Sequence, residues 1–370
     1  MRPTFAEINL SNLRYNYLNI KNRVKEAKVM AVVKADAYGH GMLECVAALE
    51  TISDHSPDYY GVALTEEGEE LRKAKLTDKP ILTFSPFNKE EVDIYKKRQI
   101  IPTVFSIQHL KDLKKLKLKN DFPVHVKVDT GMGRLGVKFS EAFDFILELS
   151  KLDKIKIDGV YTHFATSDEK IKSFANLQLS RFKKVLEKLK ETKIDYGLAH
   201  AANSGAIIDM PNSHLDMVRP GISLYGYYPS METSEAVRLR PVMSIFSRVD
   251  SVKNIEKDES VSYGRRFIAE EDTKIATVPF GYADGFLRSL TNEAEAIIDT
   301  EKFPQVGTVT MDRIMFKVNG ENVKTGDVVI LIGKTKNSEI TAWDLAKLVG
   351  TIPYEILCGI SGRVPRVYKN

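Results

Sequence analysis

Short apolar, β-branched runs recur along the first two-thirds of the chain. A turn follows each of them, and then usually a stretch with helical spacing. The runs Lys28–Lys34, Tyr59–Leu64, Pro80–Phe84, Ile100–Phe105, Phe122–Asp129, Ile155–His163, Tyr196–His200 and Leu215–Val218 predict eight strands. Between most of them apolar residues fall at i, i+3 and i+4. Phe174, Leu177, Leu179, Phe182, Val185, Leu186 and Leu189, for example, predict a helix over Phe174–Leu189. Eight alternating units predict an α/β fold, a (β/α)8 barrel of the TIM type. The alternative is an open doubly wound sheet, but no GxGxxG turn follows the first strand.

After about residue 235 the period changes. Alternating runs at Met243–Val252, Lys274–Pro279, Glu295–Asp299, Gln305–Thr310, Ile314–Val318 and Val328–Ile332 predict strands without long helices between them. Asn319-Gly320 and Thr325-Gly326-Asp327 supply turn signals, and one helix is expected over Thr341–Val349. The expectation is a barrel over 1–235 and a mostly β domain over 236–370. The polar connection Ser230–Pro241 would join them.

Composition narrows the function classes. The 370 residues are 43% hydrophobic and 28% charged, with a formal net charge of +4, which is ordinary for a globular protein. No basic block points to nucleic acid or a membrane surface. The alternating Lys111–Lys119 piece reads as one exposed helix face. Cys45 and Cys358 lie far apart and form no CxxC pair, so no disulfide framework is expected, and no metal site is expected either. The N-terminus has no apolar signal region, and no apolar run reaches membrane-spanning length. The expectation is a cytoplasmic protein.

Barrel chemistry sits where strands end. Lys34, Lys127 with Asp129, His163, His200 and Arg219 all fall at such ends. On periodicity alone Lys34 is a solvated lysine just past a strand. At a barrel mouth, however, a desolvated lysine is an amine nucleophile suited to a Schiff-base cofactor. Pyridoxal phosphate asks for small-residue loops at its phosphate, and the loops after strands seven and eight are the usual place. Here they read His200-Ala201-Ala202-Asn203-Ser204-Gly205 and Val218-Arg219-Pro220-Gly221-Ile222-Ser223.

These segments resemble the alanine racemase family, the fold-type III pyridoxal phosphate enzymes. The resemblance begins at Val33-Lys34-Ala35-Asp36-Ala37-Tyr38-Gly39-His40-Gly41 and Lys127-Val128-Asp129-Thr130-Gly131-Met132-Gly133-Arg134-Leu135-Gly136. It continues through the two loops above, Ser262-Tyr263-Gly264-Arg265, Gly281-Tyr282-Ala283-Asp284-Gly285, Val306–Asp312 and Arg363-Val364-Pro365-Arg366. The ordered set spans both halves of the chain.

The resemblance implies interconversion of L- and D-alanine, with D-alanine destined for cell-wall peptidoglycan. Lys34 would carry pyridoxal 5'-phosphate and serve as one base, with Tyr263 as the other and Arg265 favouring its phenolate. Arg219 would face the pyridine nitrogen, with His163 bridging Arg219 and Tyr263. Tyr38, Ser204, Tyr354 and the Gly221 and Ile222 backbone would hold the phosphate. Arg134 and the Met311 backbone would bind the substrate carboxylate. Lys127, as a carbamate, would orient Arg134. Tyr263, Tyr282, Met311 and Asp312 would come from the partner protomer of a homodimer with composite sites. Tyr282 and Tyr354 would narrow the entrance to a methyl-sized side chain. Two departures stand out: Thr310 where many relatives have cysteine, and the continuation Arg265-Arg266-Phe267-Ile268.

Three alternatives remain on residue grounds. A broader serine or lysine racemase is the nearest, although an export signal is absent. A decarboxylase of the same fold would want an acidic residue where Arg219 stands. A non-catalytic pyridoxal phosphate carrier would lack the second domain and Tyr263.

Overall fold

The computed structural model describes residues 3–318 and 322–370, so the expected Asn319-Gly320 turn lies outside the described residues. The chain divides into two compact units. One comprises Asn12–Ala37 and Met42–Arg240. The other comprises the N-terminal residues to Ser11, Tyr38–Gly41 and Pro241–Asn370.

The first unit is a closed parallel barrel. Its strands are Lys28–Val32, Tyr59–Val62, Ile81–Pro86, Ile100–Val104, Phe122–Asp129, Ile155–Tyr161, Leu198–His200 and Met217–Val218. Each pairs with the next, and the last returns to the first. All eight expected runs form strands, because β-branched residues buried on both faces suit a parallel barrel. Met30, Leu82, Ile101, Tyr161 and Met217 pack together as a core cluster. The longest helix, Ser173–Glu191, buries Phe182, Val185, Leu186 and Leu189. The lysine-rich piece differs from its expectation. Its helix, Ile107–Leu113, ends once Leu113 is buried, and Lys114–Leu116 continue as turns.

In the second unit, Met243–Arg248 lies between Phe5–Asn9 and Val328–Lys334. Phe5–Asn9 also pairs with Arg366–Lys369. The N-terminal strand therefore belongs to this unit and not to the barrel, where the sequence boundary placed it. Phe5 stacks on Phe246, and Ala6 and Ile8 are fully buried. A second sheet orders Ser251–Ile255, Thr273–Val278 and Ile314–Val318. The run expected as one strand over Met243–Val252 is thus two, divided between sheets. Gln305–Thr310 does not form a strand either. Gly307 turns the chain at φ 74°, and Gln305 Nε2 donates to the Val306 and Gly307 carbonyls.

No helix among the described residues is long and apolar enough to cross a membrane. They also include no group of three or more His, Cys, Asp or Glu residues that could hold a metal ion.

Candidate active site

Lys34 stands half-buried just past the first barrel strand. The segment after it is unusual. Ala35, Asp36, Ala37 and Tyr38 have φ of 52°, 52°, 53° and 56°, a left-handed turn ending at Gly39. L-residues resist this conformation by about 1–2 kcal/mol each, so surrounding groups must hold it. Glu67 Oε1 accepts from Ala35 N at 2.7 Å, and Asp36 Oδ1 accepts from Met42 N at 2.7 Å. Held backbone strain of this kind gathers at functional sites.

Around the same mouth the barrel collects positive charge. Arg219 is 4% exposed and Lys127 is 5% exposed. Arg219 donates to the carbonyls of Thr162 and Ala201 at 2.7 and 3.0 Å, and to Nδ1 of His200 and His163 at 2.9 and 3.3 Å. Tyr161 lies beneath the cluster, its ring centroid 5.4 Å from the Arg219 guanidinium and 5.5 Å from Lys127 Nζ. His200 stacks on that same ring at 4.8 Å. Burial, followed by the charges of Arg134, Arg219 and Lys34, pushes the Lys127 ammonium down to about 8. Burial lowers Arg219 to about 10, so it stays cationic at neutral pH. Burial and the charge of Arg219 hold His163 and His200 well below the usual imidazole range.

The loop carrying Arg134 is shaped by Asp129, whose carboxylate accepts from the N–H groups of Gly131 and Gly133. Gly136 at φ 128° allows this turn, because a Cβ there would stand 2.6 Å from Asp129 N. Arg134 is exposed at its tip.

At the ends of the last two strands, three donors lie within hydrogen-bond distance of Ser204 Oγ and share its two lone pairs. They are Gly221 N at 3.0 Å, Ser223 N at 3.3 Å and Ser223 Oγ at 3.0 Å. Ser204 is 4% exposed, and its own proton is left to donate. Asn203 caps the helix Ser204–Asp209, accepting from Ala206 N.

The second unit presents a separate concave surface of about 840 Å³, lined by Tyr263, Tyr282, Thr310, Met311, Asp312 and neighbours. Tyr263, Met311 and Tyr282 are 75%, 52% and 42% exposed, an unusual grouping of large apolar side chains. Ser262 at φ 67° and Gly264 at φ 73° fold the chain around Tyr263, whose carbonyl accepts from Thr308 Oγ1. Arg265 donates to Ser260 Oγ, and Arg363 bridges Asp312 at 2.7 Å to fully buried Asp284 at 3.4 Å. In the same unit Tyr38 and Tyr354 have ring centroids 5.9 Å apart. Burial raises the Tyr38 hydroxyl far above the usual phenol range, so it remains a neutral donor.

Residues 8–229 match the alanine racemase N-terminal domain model, and residues 242–368 match the C-terminal domain model. The chain belongs to the alanine racemase family. It is 44% identical to the alanine racemase of Clostridium tetani, across 100% of this chain and 96% of that one. Against the alanine racemase of Methanococcus maripaludis the identity is 40%, covering 99% and 98%. Among solved structures, alanine racemase from Clostridium difficile 630 superimposes with a TM-score of 0.92 at 41% identity, covering 100% of this chain and 96% of that one. The enzyme from E. faecalis does so at 0.93 and 32%, covering 100% and 98%. The family makes the chain an isomerase of alanine.

The donor set at the mouth suits the family's phosphorylated pyridine cofactor. Hydroxyl and N–H donors converge on Ser204, and a buried guanidinium lies nearby. The structure brings Lys127, His163, Arg219, Ser204 and Gly221 into one barrel mouth. It gathers Tyr263, Tyr282, Met311 and Asp312 on one surface of the other unit. Sequence reasoning missed Tyr161 as the shared platform, and it missed His125 and Asp158 behind His200. His125 lies on the alternation of Lys127 and Asp129, a usable signal. Asp158 gave none, because it is the extra residue of a β-bulge.

Proposed function

We propose that the chain racemises alanine by a two-base mechanism with pyridoxal 5'-phosphate held on Lys34, supplying D-alanine for peptidoglycan. One observation carries the reading. Arg219 is buried, cationic at neutral pH and held by four acceptors at the mouth that also contains Lys34 and Lys127.

When bound, the cofactor makes the Cα–H of an attached amino acid acidic. Lys34 and Tyr263 then hold and move the proton on the D- and L-faces, since inversion requires groups on opposite sides of Cα. Arg219 would face the pyridine nitrogen and, holding its own proton at neutral pH, would donate to it without charging it. By that choice of partner Arg219 would favour return of the Cα proton over side reactions. His163 links Arg219 towards Tyr263, and Arg265 supports Tyr263.

Ser204, Gly221, Ile222, Tyr38 and Tyr354 would hold the phosphate, while Arg134 and the Met311 N–H would hold the substrate carboxylate. Lys127, lowered to about 8, has enough neutral amine to add carbon dioxide, releasing a proton and becoming an anionic carbamate that orients Arg134. Tyr263, Tyr282, Met311 and Asp312 act in the partner's site of a homodimer. Their exposure within one concave surface supports that role.

The test is solvent deuterium incorporation at Cα across L- and D-amino acids with the cofactor-loaded protein. Exchange with both alanine enantiomers is expected, and no exchange with alanine refutes the reading. Lys34→Ala should lose the cofactor's visible band. Tyr263→Ala should keep the band and lose racemisation.

A further inference from the structure

Arg219 has no carboxylate within ion-pairing distance among the described residues; all four of its hydrogen-bond partners are neutral groups. A buried guanidinium in that position needs compensation from elsewhere. Behind it runs an unbroken line of buried side chains. Arg219 Nη1 lies 2.9 Å from His200 Nδ1, His200 Nε2 lies 3.0 Å from His125 Nδ1, and His125 Nε2 lies 3.4 Å from Asp158 Oδ2. Both histidines are fully buried. Asp158 lines a separate concavity of about 770 Å³ together with Tyr59, Pro80, Ile100, Phe122 and Lys156. Those residues stand at or near the starts of the barrel strands, at the end away from Lys34.

The direction of every link follows from donor chemistry. A guanidinium only donates, so His200 Nδ1 must accept and carries no proton. The proton of neutral His200 therefore sits on Nε2 and points at His125 Nδ1, which must accept in turn. His125 then carries its proton on Nε2, towards the carboxylate. Protonating His200 at Nδ1 would set two donors against each other at 2.9 Å.

Two local features serve this line and little else. Gly159 makes room for the His125 ring, since a Cβ there would stand 2.5 Å from its Cε1. The bulge that pairs Val124 with Ile157 and His125 with Gly159 leaves Asp158 as the extra residue, free to turn towards the ring.

We propose that Asp158, His125 and His200 are positioning residues, a relay that gives the His200 and His125 N–H groups their acceptors, holds the imidazole that Arg219 donates to, and lends Arg219 a countercharge from the far end of the barrel. The proposal rests on the racemase reading for the role of Arg219. The carboxylate acts through two neutral imidazoles, as an orienting carboxylate does behind a catalytic histidine. Tyr59 also donates to Asp158 Oδ2 at 2.9 Å, and exposed Lys156 approaches Oδ1 at 4.0 Å. The His125 hydrogen bond does most to hold the carboxylate below its usual range, and Tyr59 and Lys156 add to it without entering the line.

Nitrogen-15 NMR of histidine-labelled protein as purified tests the direction of the relay. Neutral rings protonated on Nε2 are expected at both His125 and His200. An imidazolium, or a proton on Nδ1, at either ring overturns the relay. Asp158→Asn keeps an acceptor oxygen for His125 and Tyr59 but removes the carboxylate charge, so the ring-nitrogen shifts of His125 and His200 should move while both protons stay on Nε2. In the cofactor-loaded enzyme kcat should fall about tenfold with KM little altered. Wild-type nitrogen shifts and wild-type kcat in this variant refute the proposal. Tyr59→Phe is the packing control at the same carboxylate and should leave both rings unchanged. An equal loss of kcat in that control also refutes the relay. The wild-type spectrum requires neither cofactor nor turnover, so failure of the racemase reading would show separately, as absent alanine exchange beside the expected tautomers.

Discussion

At the scale of single residues, the barrel mouth is governed by which polar groups burial leaves with partners. Arg219 satisfies two carbonyls and two imidazoles at once, a task that needs the planar fork of arginine. Arg219→Lys should therefore lose about 2 kcal/mol of stability, because lysine leaves buried acceptors unmet. Urea unfolding at pH 8 measures this, and racemisation should fall in parallel. Gly159→Ala belongs to the same scale. Its methyl would press on the His125 ring at 2.5 Å, an overpacking worth about 1–3 kcal/mol, and thermal unfolding should show the loss. Both residues were in plain view in the sequence, but neither the acceptors of Arg219 nor the neighbour of Gly159 is a property of local spacing.

At the scale of elements, the sequence pattern and the structure agree most closely where one element buries one face or lies wholly in the core. The eight barrel runs and the helix Ser173–Glu191 are of this kind. Agreement fails where a side chain binds its own backbone, as Gln305 does, or where a strand changes sheets near Val249. The helix Ala342–Val349 shows a local signal that does persist. Thr341 and Asp344 form a reciprocal cap, and Gly350 closes the helix at φ 69°. Thr341→Ala should cost about 1 kcal/mol in urea unfolding and leave cofactor absorbance unchanged.

At the scale of the whole molecule, buried neutral histidines tie stability to pH. His163 and His200 lie well below, and His125 below, their unfolded value near 6.5. Below that pH the unfolded chain binds protons that the folded barrel refuses. The stabilising contribution is therefore complete above about pH 6.5 and is lost as pH falls from there. Urea midpoints measured between pH 8 and 5 should drop on the acid side, and His200→Gln should flatten the drop.

The proposed composite sites of a homodimer give a second test at this scale. Mixing Lys34→Ala with Tyr263→Ala protomers should restore about a quarter of wild-type activity, since half the dimers are mixed and each has one intact site. Independent sites would restore none.

Period, turn chemistry and motif spacing are local, so the amino-acid order alone specifies the barrel, the β-rich second half and the motif residues at strand ends. Tertiary structure alone placed Phe5–Asn9 in the second unit and Tyr161 beneath three groups at once. It also brought Asp158 to His125, because a bulge breaks the alternation that sequence reading relies on, and a buried hydrogen bond depends on where distant strands meet.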